Sequence, residues 1–440
     1  MKTAIRILLA LAVLIVVLLL ICVRPIERTP YDQTGYYRQT LAELAAKPPL
    51  AAKRAPLLAG IAKAGITPPV GVPLAGFGAR KSKPSTGVHD SLYVRVIALQ
   101  AGEQRACLIG YDALLIHPDL ARTIEKRSGL KAEQLYFTAS HTHSGPGGWG
   151  NGFVEEQFSG KPDPRVSTVL VDSTAAALQA ALSTLKPATW RSGRLHAAEY
   201  IRNRLLGSQA PVDDELVYLW LESAEKPLAL FATYSAHATV LSEKNLQFSA
   251  DYPGYLERRV EQTTGALTLF AAAGLGSHSH RGQGEGFERA RYIGEGLADS
   301  LIRHAWAAPS RDSVALSYDR LAVAPPLLQI RLNRDYRLNA WLARRLLHFQ
   351  DCYISLLALD EFRFLGAPVE FSGQLALQVK AAAAQQGKPV SVTSFNGCYL
   401  GYVVPSRYDE LDAYETRTMC WFGSYFGDYL AEVMRRLAEW

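Results

Sequence analysis

The sequence predicts an α/β fold in which mixed β-sheets flanked by helices form a layered sandwich, preceded by an N-terminal transmembrane helix. Three patterns carry that prediction. Residues 7–23 are an unbroken apolar run behind Lys2 and Arg6. From Ile61 onward, short β-prone runs alternate with amphipathic helical ones, as they do when strands and helices pack in layers. Two apolar runs, 216–221 and 227–234, flank a polar turn at 222–226, which is the pattern of an antiparallel hairpin and makes the sheet mixed.

In chain order, the first run as a helix rising ~1.5 Å per residue spans roughly 25 Å, close to a hydrocarbon core. It ends Leu20-Ile21-Cys22-Val23-Arg24, without the small residues of a cleavage site, and Ile21 is too large for the box that would lipidate Cys22. Residues 1–23 therefore read as an uncleaved anchor, Lys2 and Arg6 inside and the body on the extracytoplasmic side, with Arg24 and Arg28 making the charge bias slight. Residues 24–57 read as a tether with a short helix, because 36–50 has helical spacing and Pro48-Pro49 stops it. Residues 58–440 read as one large domain. Strands are expected over 92–99, 106–109 and 134–138, and helices over 120–128, 168–185, 256–262, 290–307 and 425–437. Residues 334–348 form a basic amphipathic pattern that reads first as a helix with one solvated and one core face, and second as a helix lying on a membrane surface. No internal repeat is visible.

Composition narrows the function. The net charge of +6 over 440 residues is spread out, without the dense Lys/Arg clusters that nucleic-acid binding needs, and it suits weak attraction to anionic headgroups. No protein partner is indicated. Cys107, Cys352, Cys398 and Cys420 show no Cys-x-x-Cys spacing, which excludes zinc-ribbon and thioredoxin readings.

The most informative segment is 138–148, Thr-Ala-Ser-His-Thr-His-Ser-Gly-Pro-Gly-Gly. His141 and His143 are two apart at the end of a β-prone run, a spacing that in an extended strand sends both imidazoles to one face. The following glycines let backbone approach a ligand. The metallo-β-lactamase pattern also begins His-x-His but needs an Asp two residues on, where Gly145 stands. Farther along, Gly274-Leu-Gly-Ser-His-Ser-His-Arg follows an apolar run. It lacks the third glycine of a dinucleotide fingerprint and does not fit the Gly-x-Ser-x-Gly elbow. His278 and His280 there could perturb a metal site or shuttle protons.

Segment 138–148 resembles the His-Thr-His-Ser-Gly-Pro-Gly motif of the neutral, non-lysosomal ceramidases, zinc amidases that cleave the N-acyl bond of ceramide. Further matches follow in order: Gly65 to Gly78, Gly87-Val-His-Asp-Ser-Leu-Tyr-Val-Arg, Asn203-Arg204, Ala236-His237-Ala238, Ser249 to Tyr255, Pro368-Val-Glu-Phe, Asn396 to Tyr402, and Tyr414-Glu415. The resemblance covers about residues 58–430, patchily. It implies a layered metallohydrolase-like sandwich and zinc ligands His141, His237, Glu370 and Tyr402, with Tyr399 competing for the last place. It puts Ser279 on the family's catalytic serine, although Ser277, His280 and Arg281 replace that loop's Asp, Pro and Asn. It turns Arg204 and Tyr414 toward substrate. His143, beside a ligand, is read as orienting substrate or carrying a proton. Asp112 and Asp251 are read as outer residues bonding ligand histidines. No C-terminal immunoglobulin-like domain is expected after the last tyrosine motif.

These readings lead to a membrane-anchored, Zn²⁺-dependent amidohydrolase acting on an amphiphilic N-acyl lipid. Two rivals stand beside it. One is a zinc hydrolase of another acyl amide or ester of the cell envelope; the other is a non-catalytic lipid or envelope binding module.

Overall fold

The hairpin anticipated from the two apolar runs is formed by Glu215–Ser223 and Lys226–Tyr234. The chain reverses at Ala224 and Glu225, both left-handed with φ of 50° and 61°, a two-residue turn whose twist matches that of the strands. The turn is shorter than residues 222–226, because Glu222 and Ser223 extend the ladder to Pro227 and Lys226. The computed structural model describes residues 2–48, 50, 52–347 and 351–440.

Three sheets share one topology. In the first, Ala55–Gly65, Tyr93–Ala101 and Gln104–Tyr111 run antiparallel, and helix Pro118–Ser128 crosses over to a parallel edge strand, Leu135–Ala139. In the second, Thr189–His196, Glu215–Ser223 and Lys226–Tyr234 are antiparallel, and helix Asp251–Thr264 leads to parallel Leu267–Ala272. In the third, Leu316–Val323, Cys352–Leu359 and Phe362–Gly366 are antiparallel, and helix Gly373–Gln385 leads to parallel Val390–Thr393. The fold is thus a mixed α/β one with a structural repeat that the sequence did not reveal. Each parallel crossover needs a helix, so the carboxyl ends of the third and fourth strands of every unit open onto loops, the place where open α/β sheets hold ligands.

The sheets turn one face each into a common core that includes Ile97, Leu108, Leu219, Phe231, Leu357 and Phe364. Phe231 and Phe364 meet with ring centroids 4.9 Å apart. Their outer faces are covered by helices. Pro164–Ser183 packs on the first sheet, so closely that a Cβ at Gly60 would lie 2.0 Å from the Ala181 carbonyl oxygen. Helices Asp251–Thr264 and Gly286–Ala305 cover the second, and Gly373–Gln385 and Phe426–Ala438 the third.

Helix Lys2–Cys22 is apolar and long enough to cross a membrane, with none of its apolar window buried against the body. Beyond it the segment read as a tether is docked. Tyr37 and Leu44 of helix Gly35–Ala46 enter the third sheet's core, and the Thr40 and Tyr429 hydroxyls meet at 2.7 Å. Pro49 lies outside the described residues. The basic amphipathic pattern at 334–348 also resolves differently. Asn333 Oδ1 accepts the Asp335 and Tyr336 amides and turns the chain. Tyr336–Leu338 then pairs with Val23–Pro25, and among the described residues of this segment only Ala340–Leu346 is helical. A helical repeat of side chains does not prevail where an Asx turn and a strand partner claim the backbone. His348 is outside the described residues.

Candidate metal centre

Strand Leu135–Ala139 stops two residues before His141, which adopts φ of 60°. His141 and His143 therefore do not share a face through the strand pleat, as their spacing had suggested. A left-handed residue is uncommon off glycine, and here it swings the first imidazole back toward the second. His141 Nδ1 donates to the Leu114 carbonyl at 2.8 Å, and its ring stacks on Phe395 at 4.2 Å. His237 follows strand Lys226–Tyr234, and its Nδ1 donates to the Leu275 carbonyl at 3.2 Å. With both Nδ1 protons committed to carbonyls, both Nε2 atoms carry bare lone pairs. They lie 3.1 Å apart. His143 Nε2 is 3.3 Å from that of His141, and the backbone N–H of His143 donates to the Ala238 carbonyl, tying the two loops together.

Glu370, on the two-residue strand Glu370–Phe371 that pairs in parallel with Tyr402–Val403, completes the cluster. Its Oε2 is 3.4 Å from the Nε2 of both His141 and His237 and is buried without a hydrogen-bond donor. Its Oε1 accepts from the Tyr399 hydroxyl at 2.7 Å. The Tyr402 hydroxyl lies 3.4 Å from His237 Nε2 and accepts from Arg204 Nη2 at 3.3 Å. The Nε2 atoms of His141 and His237 and the Glu370 Oε2 converge with no proton of their own between them, and such acceptors repel one another unless a cation sits among them. Imidazole nitrogens with a carboxylate and a phenol are donors of the type that hold zinc in a site with reactive chemistry. The three histidine donors alone fall within 4.8 Å of one another, so the residues fit a metal ion.

The candidate ligands, catalytic residues and substrate contacts line one cavity of about 500 Å³: His141, His143, His237, Glu370, Tyr402 and Tyr399, then Arg204, Tyr414 and Ser279. Arg204 Nε donates to Glu415 at 2.6 Å and Nη2 to the Gly276 carbonyl at 3.2 Å. Tyr414 packs edge-on against Tyr402 at 5.6 Å and is half exposed at the rim. Ser279 sits on the strand His278–His280, which pairs with Ile201–Asn203, so the Asn203-Arg204 segment and the serine loop are neighbours in one small sheet.

Electrostatics favour neutral imidazoles. Burial first, then the neighbouring His141 imidazole and the charges of Arg80 and Arg204, hold the His143 pKa far below its ordinary value. Burial and Arg204 do the same to His237. The Tyr414 hydroxyl is pushed up to about 12, by burial and then Glu370. Tyr402 is also raised by burial and Glu370, with Arg204 opposing.

Several sequence readings are corrected by these contacts. Asp112 bonds Arg95 and the Tyr93 amide, and Asp251 accepts the Leu241 and Tyr252 amides; backbone carbonyls, not these acids, orient the histidines. His278 is wedged beside Gly373, its Nε2 accepting the Asp213 amide at 3.2 Å, and burial draws its pKa down to about 4. These contacts make it a packed residue of the fold, outside the cavity lining. Sequence reasoning missed the Leu114 and Leu275 carbonyls, which have no side-chain signal. It also missed Phe395 and Phe77, ring neighbours of His141 and His143, and the pairing of Glu415 with Arg204, although Glu415 stood in the Tyr-Glu motif.

Fold and site together define an α/β protein with a candidate metal centre at the carboxyl ends of its repeated sheets. Residues 57–275 match the family described as neutral/alkaline non-lysosomal ceramidase, N-terminal, and over them the chain carries that family's domain. A neutral ceramidase of Pseudomonas aeruginosa is 26% identical over 269 residues, 54% of this chain and 39% of that protein. One of Mycobacterium tuberculosis is 21% identical over 220 residues, 45% of this chain and 34% of that protein. The matches thus span about two fifths or less of these curated relatives. The crystal structure of the neutral ceramidase from Pseudomonas aeruginosa superposes with a TM-score of 0.74 at 19% identity, covering 87% of this chain and 74% of that one. A ceramidase complexed with C2 gives 0.73 at 18%, covering 87% and 75%. These two likenesses establish the fold.

Proposed function

We propose that this protein is a zinc-dependent amidohydrolase cleaving the N-acyl amide bond of a ceramide-like lipid, with residues 58–440 as the hydrolase domain, its stacked sheets a metallohydrolase-like sandwich. The observation that carries the proposal is the convergence of His141 Nε2, His237 Nε2 and the orphaned Glu370 Oε2 within 3.4 Å. His141, His237, Glu370 and Tyr402 would hold the ion. Bound zinc supplies Lewis acidity toward the acyl carbonyl and a water acidic near neutrality.

The chain's own groups supply the rest. His143, kept neutral, is a proton acceptor facing the cavity and can return the proton to the departing amine. The Arg204 guanidinium and the Tyr414 hydroxyl, which stays protonated below about pH 12, donate to a developing oxyanion. Arg204 is fixed for this by Glu415 and the Gly276 carbonyl. Ser279 lines the same cavity, and the family resemblance makes it the candidate nucleophile alternative to the metal-activated water. Helix Lys2–Cys22 would anchor the protein in the membrane with the domain on the extracytoplasmic side, next to an amphiphilic substrate.

The test is metal content and hydrolysis of a fluorescent N-acyl sphingoid lipid by the full chain in detergent, with and without chelator. One zinc per chain and chelator-sensitive cleavage are expected. Cleavage of other acyl amides or esters but not of the sphingoid lipid would move the substrate to the cell envelope. Absence of both stoichiometric metal and cleavage would overturn the hydrolase reading in favour of a binding module, and cleavage that survives His141→Ala would overturn the metal mechanism.

A further inference from the structure

The end of the apolar helix is fastened to a surface that presents lipid-seeking groups. Asn339 donates its backbone N–H to the Cys22 carbonyl at 2.7 Å and its Nδ2 to the Ile21 carbonyl at 3.0 Å. Strand Val23–Pro25 pairs with Tyr336–Leu338. Residues 332–345 are therefore held at the level where that helix leaves the apolar layer. Around this attachment Leu332 is 51% exposed, Tyr336 49% and Trp341 47%. Core packing accounts for Ala343, which is fully buried, but not for three large apolar side chains left out together. Arg24, Arg28, Arg334, Arg344 and Arg345 are exposed among them, against Glu27 and Asp335, the latter already paired with Arg28 at 3.4 Å. Aromatic rings interleaved with arginines at the end of an apolar helix match the interfacial belt of membrane proteins.

The same surface continues to the cavity. Arg331 pairs with Asp409, and Arg334 Nη2 with Glu410 Oε2 at 2.6 Å. Those acids begin the segment that carries Tyr414 to the cavity rim, where it is 51% exposed.

We infer that residues 332–345 form a foot that rests on a bilayer bearing anionic headgroups and turns the cavity rim toward the lipid. This rests on reading helix Lys2–Cys22 as a membrane anchor. Docked so, the amide of a bilayer-resident lipid reaches the site by a short path along the surface, whereas a water-soluble analogue gains nothing from the foot.

The experiment reconstitutes the full chain in vesicles of phosphatidylcholine, brominated on the acyl chains close to the headgroup, with or without phosphatidylglycerol. Bromine quenches tryptophan on contact, and the Trp341→Phe variant isolates the contribution of that ring. Quenching that Trp341→Phe removes is expected, and Arg344→Glu/Arg345→Glu is expected to weaken it most in phosphatidylglycerol vesicles. The charge-reversed variant should cleave a long-chain N-acyl lipid in those vesicles at least about tenfold more slowly, while cleavage of a short-chain soluble analogue stays within about twofold. Equal quenching of wild type and Trp341→Phe overturns the foot. If the quenching difference is present but wild type cleaves neither substrate, the foot stands and the hydrolase reading fails. If the full chain does not remain with the vesicles, the anchor reading fails and the foot with it.

Discussion

His141 and His237 face each other with their Nε2 atoms 3.1 Å apart while each Nδ1 is pinned to a backbone carbonyl. Ninety-six residues of chain separate them, and neither nitrogen has a proton to give the other. The pair makes physical sense around a cation, and replacing either member by alanine should abolish it. His141→Ala or His237→Ala is expected to bring bound zinc well below one per chain and to lower turnover by on the order of 10³-fold or more. Metal analysis of the purified variants, alongside the amidase assay, checks this.

Two tyrosines near Glu370 should part company on substitution. Tyr399 donates to Glu370 Oε1 at 2.7 Å, whereas Tyr402 lies at His237 Nε2 and beneath Arg204. Tyr399→Phe loosens a carboxylate that still points at the histidines, so metal affinity should fall about 10–100-fold with full occupancy recovered in excess zinc. Tyr402→Phe should not recover turnover in excess zinc. Zinc titrations of activity distinguish the two.

Gly76 is a steric requirement of His143. With φ of 111° its Cβ position would lie 2.5 Å from the His143 ring. Gly76→Ala should destabilise the protein by about 1–3 kcal/mol from backbone strain alone and lower turnover by displacing the imidazole. Thermal unfolding and kinetics on the same sample read both effects.

Arg95 lies buried between Asp112 at 2.9 Å and Glu257 at 2.8 Å, joining the first sheet to helix Asp251–Thr264. Burial pushes the Glu257 carboxyl well up, and Arg95 pulls it back. Arg95→Leu leaves two uncompensated acids in the interior, a loss of roughly 3–5 kcal/mol. Denaturant midpoints should fall accordingly, and an unchanged midpoint would contradict the network.

Acid should unfold the protein partly through His278. Burial draws its pKa down to about 4, while an unfolded histidine takes up its proton near pH 6.5. Between those values the unfolded state binds more protons, so stability is full above about pH 6.5 and is lost as pH falls toward 4, by up to about 3 kcal/mol. Asp251 acts in the opposite direction: burial raises its pKa to about 7, so its contribution declines as pH rises from about 4 to 7. The difference in stability slope between wild type and His278→Gln isolates the histidine. Parallel slopes would assign the acid lability elsewhere.

The sequence by itself determined the local elements and the chemistry on offer. Alternating apolar runs marked the strands, and helical spacing marked helices such as Pro118–Ser128 and Phe426–Ala438. The run 138–148 announced a histidine pair. Such signals are local, set by side-chain periodicity and turn residues within a few positions. They erred where local pattern met a distant partner, as when Tyr336–Leu338 left its helical pattern to pair with Val23–Pro25.

Tertiary structure alone decided how the pieces converge. Three units with one strand order, alike in topology and not visibly in sequence, place their carboxyl-terminal loops at a single cavity. His141, His237 and Glu370 come from different units for that reason. Strand pairing and crossover direction are settled by chain closure and burial of the shared core around Phe231 and Phe364, and no window of sequence contains them. The left-handed turn at His141 and the carbonyls of Leu114 and Leu275 belong to the same category, because backbone dipoles orient the imidazoles only once the sheets have brought them into range.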